Sequence, residues 1–186
     1  APTSGSVTVF GLDTARDAHG VREIISYLPE EAGAYKNLTG RDYLDFMAVV
    51  FLRDKKKAAA AVAFGSELSG LKDRLNDKVK TYSKGMTRKL LLARAVMIRP
   101  KLAILDEPTS GLDIVNGYEI RNTIKQLAAG GMTFLISSHN MSEIEFLSGR
   151  IGVINKGKLL ACDTPDALKS RFSTGDLEEV FIKLTQ

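Results

Sequence analysis

The sequence predicts an α/β fold in which helices cover a parallel β-sheet. From residue 102 onward, short apolar strands alternate with helical segments across short loops. This alternation is typical of parallel sheets covered by helices. A second observation is the apolar run 102–105, which ends in two adjacent carboxylates, Asp106 and Glu107. Open α/β sheets bind their ligands at the carboxyl ends of the strands, so the run also predicts where a site would lie.

Strands are predicted where short apolar or alternating runs are bounded by turn residues. An alternating run that ends on Gly11 is typical of an antiparallel edge strand, and Pro29 stops the next apolar run. Residues 155–158 form a hairpin turn of short loop length. The predicted strands are 6–11, 23–29, 102–105, 133–137, 150–155 and 158–162.

Helices are predicted from apolar residues at helical spacing and from capping residues. Thr39 can cap the first helix, and breaks are expected at Gly65 and Gly70 in the next helical stretch. Ser83 caps a strong helix that Pro100 ends. Predicted helical segments are 39–51, 53–80, 84–99, 115–129, 141–147, 165–172 and 177–184. We therefore expect one domain over residues 1–186, with a helical subdomain at 36–99 inserted in the α/β core.

Composition is that of a globular protein. The 186 residues suit one domain, hydrophobic residues at 44% can form a core, and no apolar run approaches the ~18 residues of a membrane span. Cys162 is the only cysteine, so no internal disulfide can form. The net charge of +4 is modest, but basic residues dominate between 53 and 101. Such a patch could face phosphates, anionic lipid or an acidic partner, although a solvated helical face better explains residues 55–57 alone.

The stretch LAILDEPTSGLD, residues 102–113, carries the strongest chemical signal. Asp106 at the strand end can hold a hydrated Mg²⁺, and Glu107 can polarise an attacking water, as phosphoryl transfer requires. The stretch resembles the Walker B and D-loop segment of ABC-type ATPases. That resemblance implies a RecA-like P-loop NTPase core with a helical subdomain, and ATP with Mg²⁺ as ligands.

One family motif does not occur in the sequence. No G-x-x-x-x-G-K-[ST] phosphate loop is found among the 186 residues. In the family this loop precedes a segment like PTSGSVTVFGLD, on which the chain opens. The resemblance therefore implies an ATP-binding domain truncated before its phosphate loop, lacking the first strands. We expect the 186-residue chain by itself neither to bind ATP tightly nor to turn it over.

Residues 83–86 stand at the family's signature position, usually LSGGQ. A serine hydroxyl and free N–H groups at a helix start form an anion site. The resemblance implies that Ser83 and Gly85 contact the γ-phosphate bound to the opposite monomer, and Lys84 would add a positive charge beside that phosphate. Tyr82 replaces leucine, Lys84 replaces the first glycine and Met86 replaces glutamine.

The resemblance assigns three further residues. His139 would be the switch histidine, which contacts the γ-phosphate and the attacking water. Glu30 stands at the Q-loop position, where glutamate could still contact the metal but offers no amide donor. Asp113 would reach across the dimer, and it can also cap the following helix. The alternative for Glu30 is an exposed acidic turn.

The leading functional interpretation is the ATPase subunit of an ABC membrane transporter. Its implied partners are a second nucleotide-binding domain, arranged head to tail, and transmembrane subunits, so that it would lie on the cytoplasmic face of the membrane. A DNA-repair or chromosome ATPase is disfavoured, because no sustained heptads separate Glu30 from Ser83, and no nucleic acid is expected. A non-catalytic docking fragment is the alternative from another class.

Overall fold

The computed structural model describes residues 2–186 and divides into two compact units, which meet in sequence between Ser137 and Ser138. Within residues 2–186, no helix combines the length and apolar character that crossing a membrane requires. The strands are β1 (Thr8–Val9), β2 (Leu12–Asp13), β3 (Ile25–Leu28), β4 (Leu102–Asp106), β5 (Thr133–Ser137), β6 (Ile151–Asn155) and β7 (Lys158–Asp163). The helices are α1 (Ala18–Ile24), α2 (Gly40–Phe51), α3 (Lys55–Ser69), α4 (Lys84–Val96), α5 (Ile114–Ala129), α6 (Met141–Leu147), α7 (Pro165–Arg171) and α8 (Leu177–Thr185).

The first unit is organised on a three-stranded parallel sheet in the order β3-β4-β5. β4 is the central strand, and its last residue, Asp106, pairs in register with Ser137 at the end of β5. The strand predictions for β4 and β5 agree with the structure to within one residue. All three strands therefore bring their carboxyl ends to one edge of the sheet.

The two faces of this sheet differ in burial. Leu28, Ala103 and Leu105 lie on one face and are completely buried. Tyr27 and Leu135 flank the middle of β4 on the other face, and they are 50% and 59% exposed. The alternation along β4 thus follows the period of two that a strand imposes on its side chains.

Helices α2, α3 and α4 pack on one another across the predicted helical region. Leu44, Val62 and Leu90 are among the residues buried there. The predicted break at Gly65 is wrong, because this glycine lies inside α3, where a Cβ would come within 3.0 Å of the Met97 Cβ. The break at Gly70 is confirmed, since this residue takes a left-handed conformation with φ of 63°.

The first predicted strands are shorter than expected. Of the predicted strand 6–11, only Thr8–Val9 forms a strand, β1. A turn at Phe10 and Gly11 follows, and β1 pairs with β2 as an antiparallel hairpin. Helix α1 extends to Ile24 and includes the first two residues of the predicted strand 23–29. Strand β3 therefore covers only Ile25–Leu28 of that prediction. Asp17 caps α1 by accepting from the Gly20 N–H at 2.9 Å, a signal that the apolar pattern alone obscured.

The second unit contains α6, the antiparallel hairpin β6–β7, and helices α7 and α8. Its core consists of Ala161, Leu168, Leu177 and Val180. Thr164 caps α7 and Pro165 occupies the first helical turn, as the sequence predicts.

We expect Leu105→Ala to lower the free energy of unfolding by about 2–5 kcal/mol, because it removes a buried side chain from a packed strand. Leu135→Ala on the neighbouring strand is the matched control, and it should cost less than about 1 kcal/mol because Leu135 is 59% exposed. Urea unfolding followed by circular dichroism measures both. Equal losses for the two variants would contradict the burial assigned to the two faces.

Candidate functional site

The carboxylate of Asp106 is oriented by hydrogen bonds from two neighbouring strands. The Ser137 hydroxyl donates to Oδ1, and the Tyr27 hydroxyl donates to Oδ2 at 3.4 Å. Both partners are brought to Asp106 by the parallel register, since they lie on β5 and β3 on either side of β4. The structure thus places Asp106 at the sheet edge that the sequence predicted, with its side chain held from both sides.

Glu107 follows the strand in an unusual backbone conformation. Its φ is 44°, which lies in the left-handed region that residues with a Cβ avoid. Its N–H donates to the Ser137 carbonyl at 3.0 Å, so it adds one more bond beyond the end of the ladder. Its carbonyl accepts from the Ser110 N–H at 3.1 Å and closes a turn in the following loop. Strained backbone of this kind is concentrated at functional sites.

Arg88 is the residue at this site that the sequence reasoning missed. It lies on α4 and is only 7% exposed, although its guanidinium carries a charge. Its Nε, Nη1 and Nη2 donate to main-chain carbonyls in two loops: Pro29 (3.0 Å), Glu30 (3.1 Å), Asp106 (2.9 Å), Glu107 (2.7 Å) and Pro108 (2.8 Å). A sequence signal existed, because Arg88 shares the helical spacing of the buried Leu91, Leu92 and Ala95.

Glu30 lies on the loop after β3 and contacts the loop after β4. Its Oε1 accepts from the Ser110 hydroxyl at 2.9 Å, and its main-chain carbonyl accepts from Arg88. A cavity of about 440 Å³ lies between these loops and the start of α4, and Glu30, Lys84, Arg88 and Ser110 are among the residues that line it. Glu30 is exposed in a turn, as the alternative predicts, and its carboxylate bonds to the loop after β4. Its predicted role as a ligand stays a prediction.

Ser83 begins α4 as its N-cap. Its hydroxyl oxygen accepts from the Met86 N–H at 3.2 Å, and its carbonyl accepts from the Thr87 N–H at 2.9 Å. The serine thus stands at a helix start, where the main-chain N–H groups and the helix dipole favour an anion. The cap confirms the predicted beginning of this helix, while contact with a phosphate stays a prediction.

Two glycines let the start of α4 approach the loop and helix after β4. A Cβ on Gly85 would lie 2.4 Å from the Asn116 side chain, so only glycine fits against α5 at this point. A Cβ on Gly111 would lie 2.1 Å from the Lys84 Nζ, and Gly111 also has a positive φ of 63°. The end of the Lys84 side chain therefore lies against Gly111 in the loop that follows β4.

Asp113 is the N-cap of α5. The main-chain N–H of Asn116 donates to its Oδ1 at 2.9 Å, and the side-chain amide of Asn116 donates to its Oδ2 at 2.6 Å. These two bonds hold the pKa of the Asp113 carboxyl below its ordinary value, and the bond from the main-chain N–H has the larger effect. The helix-capping alternative for Asp113 is therefore realised, and its contact with a partner stays a prediction.

His139 belongs to the second unit and is exposed just before α6. The residues around it are fixed by short-range bonds. Ser138 donates to Glu143 at 2.6 Å, and Asn140 caps α6 by accepting from the Glu143 N–H at 3.1 Å. Glu143 is 2% exposed and was missed, although Asn140 followed three residues later by Glu143 is a capping-box pattern. The joint action of His139 with Glu107 stays a prediction.

The residues at the strand edge suit a magnesium ion in their chemistry. Asp106 and Glu30 offer the carboxylate oxygens that this ion prefers. In the part of the chain that the structure describes, no three His, Cys, Asp or Glu residues cluster as a preformed metal cage. Mg²⁺ is usually bound through one or two carboxylates together with water and substrate phosphates, so the donor set fits an ion that arrives with a nucleotide.

Comparison with known proteins shows the family of the chain. The sequence profile of the ABC transporter family matches residues 1–110. The linearmycin resistance ATP-binding protein LnrL of Bacillus subtilis is 37% identical over 168 residues, which cover 90% of this chain and 54% of LnrL. The bacitracin transport ATP-binding protein BcrA of Bacillus licheniformis is 39% identical over 91% of this chain and 55% of its own length. The ABC transporter ATP-binding protein NatA of Bacillus subtilis is 31% identical over 97% of this chain and 74% of its own length.

Solved structures share the fold. An ATP-binding subunit of an ABC transporter superimposes with a TM-score of 0.85 at 24% identity, and it covers 100% of this chain and 78% of that structure. A dimeric ATP-binding cassette bound to ADP and Pi gives a TM-score of 0.74 at 21% identity over 88% of this chain and 74% of that structure. The chain belongs to the ABC transporter family of ATP-binding proteins, and its RecA-like α/β fold is confirmed. The chain spans about half the length of LnrL and BcrA.

The depressed pKa of Asp113 predicts a pH-dependent stability. Because the pKa of Asp113 is lower in the folded state, the ionised carboxylate stabilises the fold at pH values above its ordinary pKa of 3.8. This stabilisation is lost as the pH falls through the folded-state pKa. Asp113→Asn keeps a capping residue that does not titrate. Urea unfolding of both proteins from about pH 7 to about pH 3 should show wild type more stable at neutral pH and the difference shrinking in acid. A difference that stays constant across this range would contradict the assignment.

Proposed function

We propose that the chain is part of the ATP-binding and ATP-hydrolysing subunit of an ABC membrane transporter. The observation that carries the proposal is the carboxylate pair at the end of the central parallel strand. Asp106 is oriented by hydrogen bonds from β3 and β5, and Glu107 follows it in a left-handed turn. Family membership supports nucleotide binding with Mg²⁺. The activity, the partners and the location are proposals, because the chain spans about half of the relatives LnrL and BcrA.

The chemistry divides between the two carboxylates. Glu107 would accept a hydrogen bond from the attacking water and raise its nucleophilicity, while His139 would orient the same water and a phosphate oxygen. Asp106 and Glu30 would hold the Mg²⁺, which neutralises charge on the phosphates when it is bound. The hydrogen bonds to Asp106 keep its oxygens in a fixed orientation, so little reorganisation is needed when the ligand arrives.

A second copy would complete the nucleotide site. Ser83, Lys84 and Gly85 lie at a helix start, which favours an anion, but Ser83 also caps its own helix. In the proposed arrangement, two subunits bind head to tail, and the start of α4 in one contacts the γ-phosphate held by the other. Asp113 caps α5 next to its first residue, Ile114, which is 87% exposed, so this end of the helix is open to a partner. The solved dimeric ATP-binding cassette bound to ADP and Pi shares this fold, and its dimeric state supports the proposed arrangement.

The outer face of α2 is the proposed contact with the transmembrane subunits. Phe46, Val49, Val50 and Phe51 are exposed on this helix, and Val49 reaches 68%. Tyr35 packs edge-to-face against Phe46 with ring centroids 5.5 Å apart, so the face continues onto the loop after β3. Contiguous exposed apolar surface marks an interaction site. A subunit docked in this way would lie on the cytoplasmic face of the membrane.

Glu107→Gln tests the catalytic proposal in the full protein that the gene encodes. It preserves the shape of the side chain and removes the charge, so hydrolysis should fall about 10²–10⁴-fold while ATP binding persists. Phosphate release measures the rate, and size exclusion with ATP should show an accumulated dimer. Glu23→Gln is the matched control, because Glu23 is an exposed glutamate on α1 that pairs with His19, and it should leave the rate unchanged. Hydrolysis within twofold of wild type in Glu107→Gln would remove Glu107 from the role.

A mixing experiment tests the partner arrangement. If Ser83 acts on the nucleotide of the opposite subunit, a mixed dimer of Ser83→Arg and Glu107→Gln has one site with both defects and one with neither. Some hydrolysis should therefore return when the two inactive full-length proteins are combined. Activity of each parent alone is the control, and native mass spectrometry verifies that mixed dimers form. Mixed dimers that remain inactive would show that Ser83 and Glu107 do not serve the same site across a dimer.

A further inference from the structure

We propose that Arg88 is a positioning residue that holds the main chain of Glu107 in its left-handed turn and thereby ties the carboxylate pair to α4. Its consequence for hydrolysis rests on the proposed function, whereas its effect on the turn does not. The inference starts from a buried charge. Arg88 is 7% exposed, and its three guanidinium nitrogens donate to five main-chain carbonyls. Burying a charge is costly unless hydrogen bonds compensate it, so these bonds define where the side chain can lie.

The geometry requires the planar fork of arginine. Nη1 donates to the loop after β3, at Pro29 and Glu30, while Nη2 donates to Asp106 and Glu107 at the end of β4. Nε donates to the next residue of the same loop at 2.8 Å. A lysine has one nitrogen at the end of a flexible chain and cannot reach carbonyls in these three directions at once. Two loops from neighbouring strands are therefore fixed by one rigid group.

The backbone of Glu107 is the part of this network that needs support. A residue with a Cβ resists positive φ, yet Glu107 has φ of 44°. Its peptide groups are held on two sides: the N–H donates to the Ser137 carbonyl at 3.0 Å, and the carbonyl accepts from Arg88 Nη2 at 2.7 Å. The second bond is shorter than the bonds from Arg88 to Pro29, Glu30, Asp106 and Pro108. The strained turn is thus fixed between β5 and α4.

This arrangement links two parts of the proposed ATPase. Arg88 and Ser83 lie on the same helix, α4, so the helix that would contact the partner's phosphate also holds the turn that carries Glu107. A displacement of α4 would change the bond from Arg88 Nη2 to the Glu107 carbonyl. The backbone of the catalytic glutamate would then respond to the position of the helix.

A stability cycle in the full-length protein tests the inference without reference to hydrolysis. Glu107→Gly and Glu107→Ala both remove the carboxylate, but only alanine resists the left-handed turn. With Arg88 present, the glycine variant should be more stable, by about fivefold in the unfolding equilibrium constant. With Arg88→Lys, the turn can relax, so the glycine variant should no longer be more stable than the alanine variant. It should be equally stable or less stable, because glycine loses more conformational entropy on folding. An unchanged advantage of glycine in the Arg88→Lys background would overturn the proposal.

Arg94→Lys is the matched control for this cycle. Arg94 lies on the same helix, but its guanidinium donates to the Tyr27 carbonyl at 3.4 Å and bonds to the Tyr43 side chain, so the glycine advantage should survive its substitution. If Arg88→Lys does not fold, exchange of the Arg88 Nε–H in the unmodified protein decides instead. Exchange as slow as that of the α4 amides supports the network, and exchange as fast as that of the exposed Arg53 overturns it.

The activity arm uses Arg88→Lys with Glu107 intact. We expect kcat to fall by roughly 10–10²-fold, because a small misplacement of a catalytic group is costly, while the Kd for ATP changes less than about twofold. A loss of ATP affinity with unchanged kcat would overturn the positioning role. If the wild-type full-length protein does not hydrolyse ATP, the proposed function is contradicted. The stability cycle then remains the decisive test of the role of Arg88.

Discussion

The register of β4 between β3 and β5 is the constraint on which the site depends. Because parallel partners lie side by side, Asp106 ends its strand next to Ser137 and within reach of Tyr27. The same register brings the Ser137 carbonyl to the Glu107 N–H. A shift of one residue would turn every side chain of β4 to the other face and would separate Asp106 from both partners. Burial of Leu105 opposes such a shift, so the core of the sheet defines the geometry of its edge.

Helix α4 joins this edge to the rest of the first unit. Its buried apolar side packs with the other helices, and Arg88 in the same stripe reaches the carbonyls of both loops. The close approach of its first turn to α5 depends on Gly85, since a larger residue would collide with Asn116. The same helix therefore contributes to the packed core and to the site. A substitution on its buried side would also change the positions of the carboxylates.

Lys84 and Glu30 depart from the family's usual signature and Q-loop residues, and both contact the loop after β4. Lys84 replaces a glycine, and its Nζ lies against Gly111 in the loop after β4. The side chain therefore fills space beside its own loop, where the absence of a Cβ on Gly111 admits it. Glu30 replaces a glutamine, and its carboxylate accepts from Ser110 in that same loop. Both side chains thus contact the loop after β4 of their own chain.

The sequence by itself determined the fold class, the central strand with its two carboxylates and the capped start of α4. Those features follow from local patterns: an apolar run before Asp106 and Glu107, and a serine before a helix. Only the tertiary structure decided the roles of Arg88 and the left-handed turn at Glu107, and the continuation of α3 through Gly65. These depend on residues distant in sequence, such as the carbonyl of Pro29 for Arg88 and the side chain of Met97 for Gly65. A local pattern carries no information on which carbonyl or side chain will lie nearby, because folding brings those groups together.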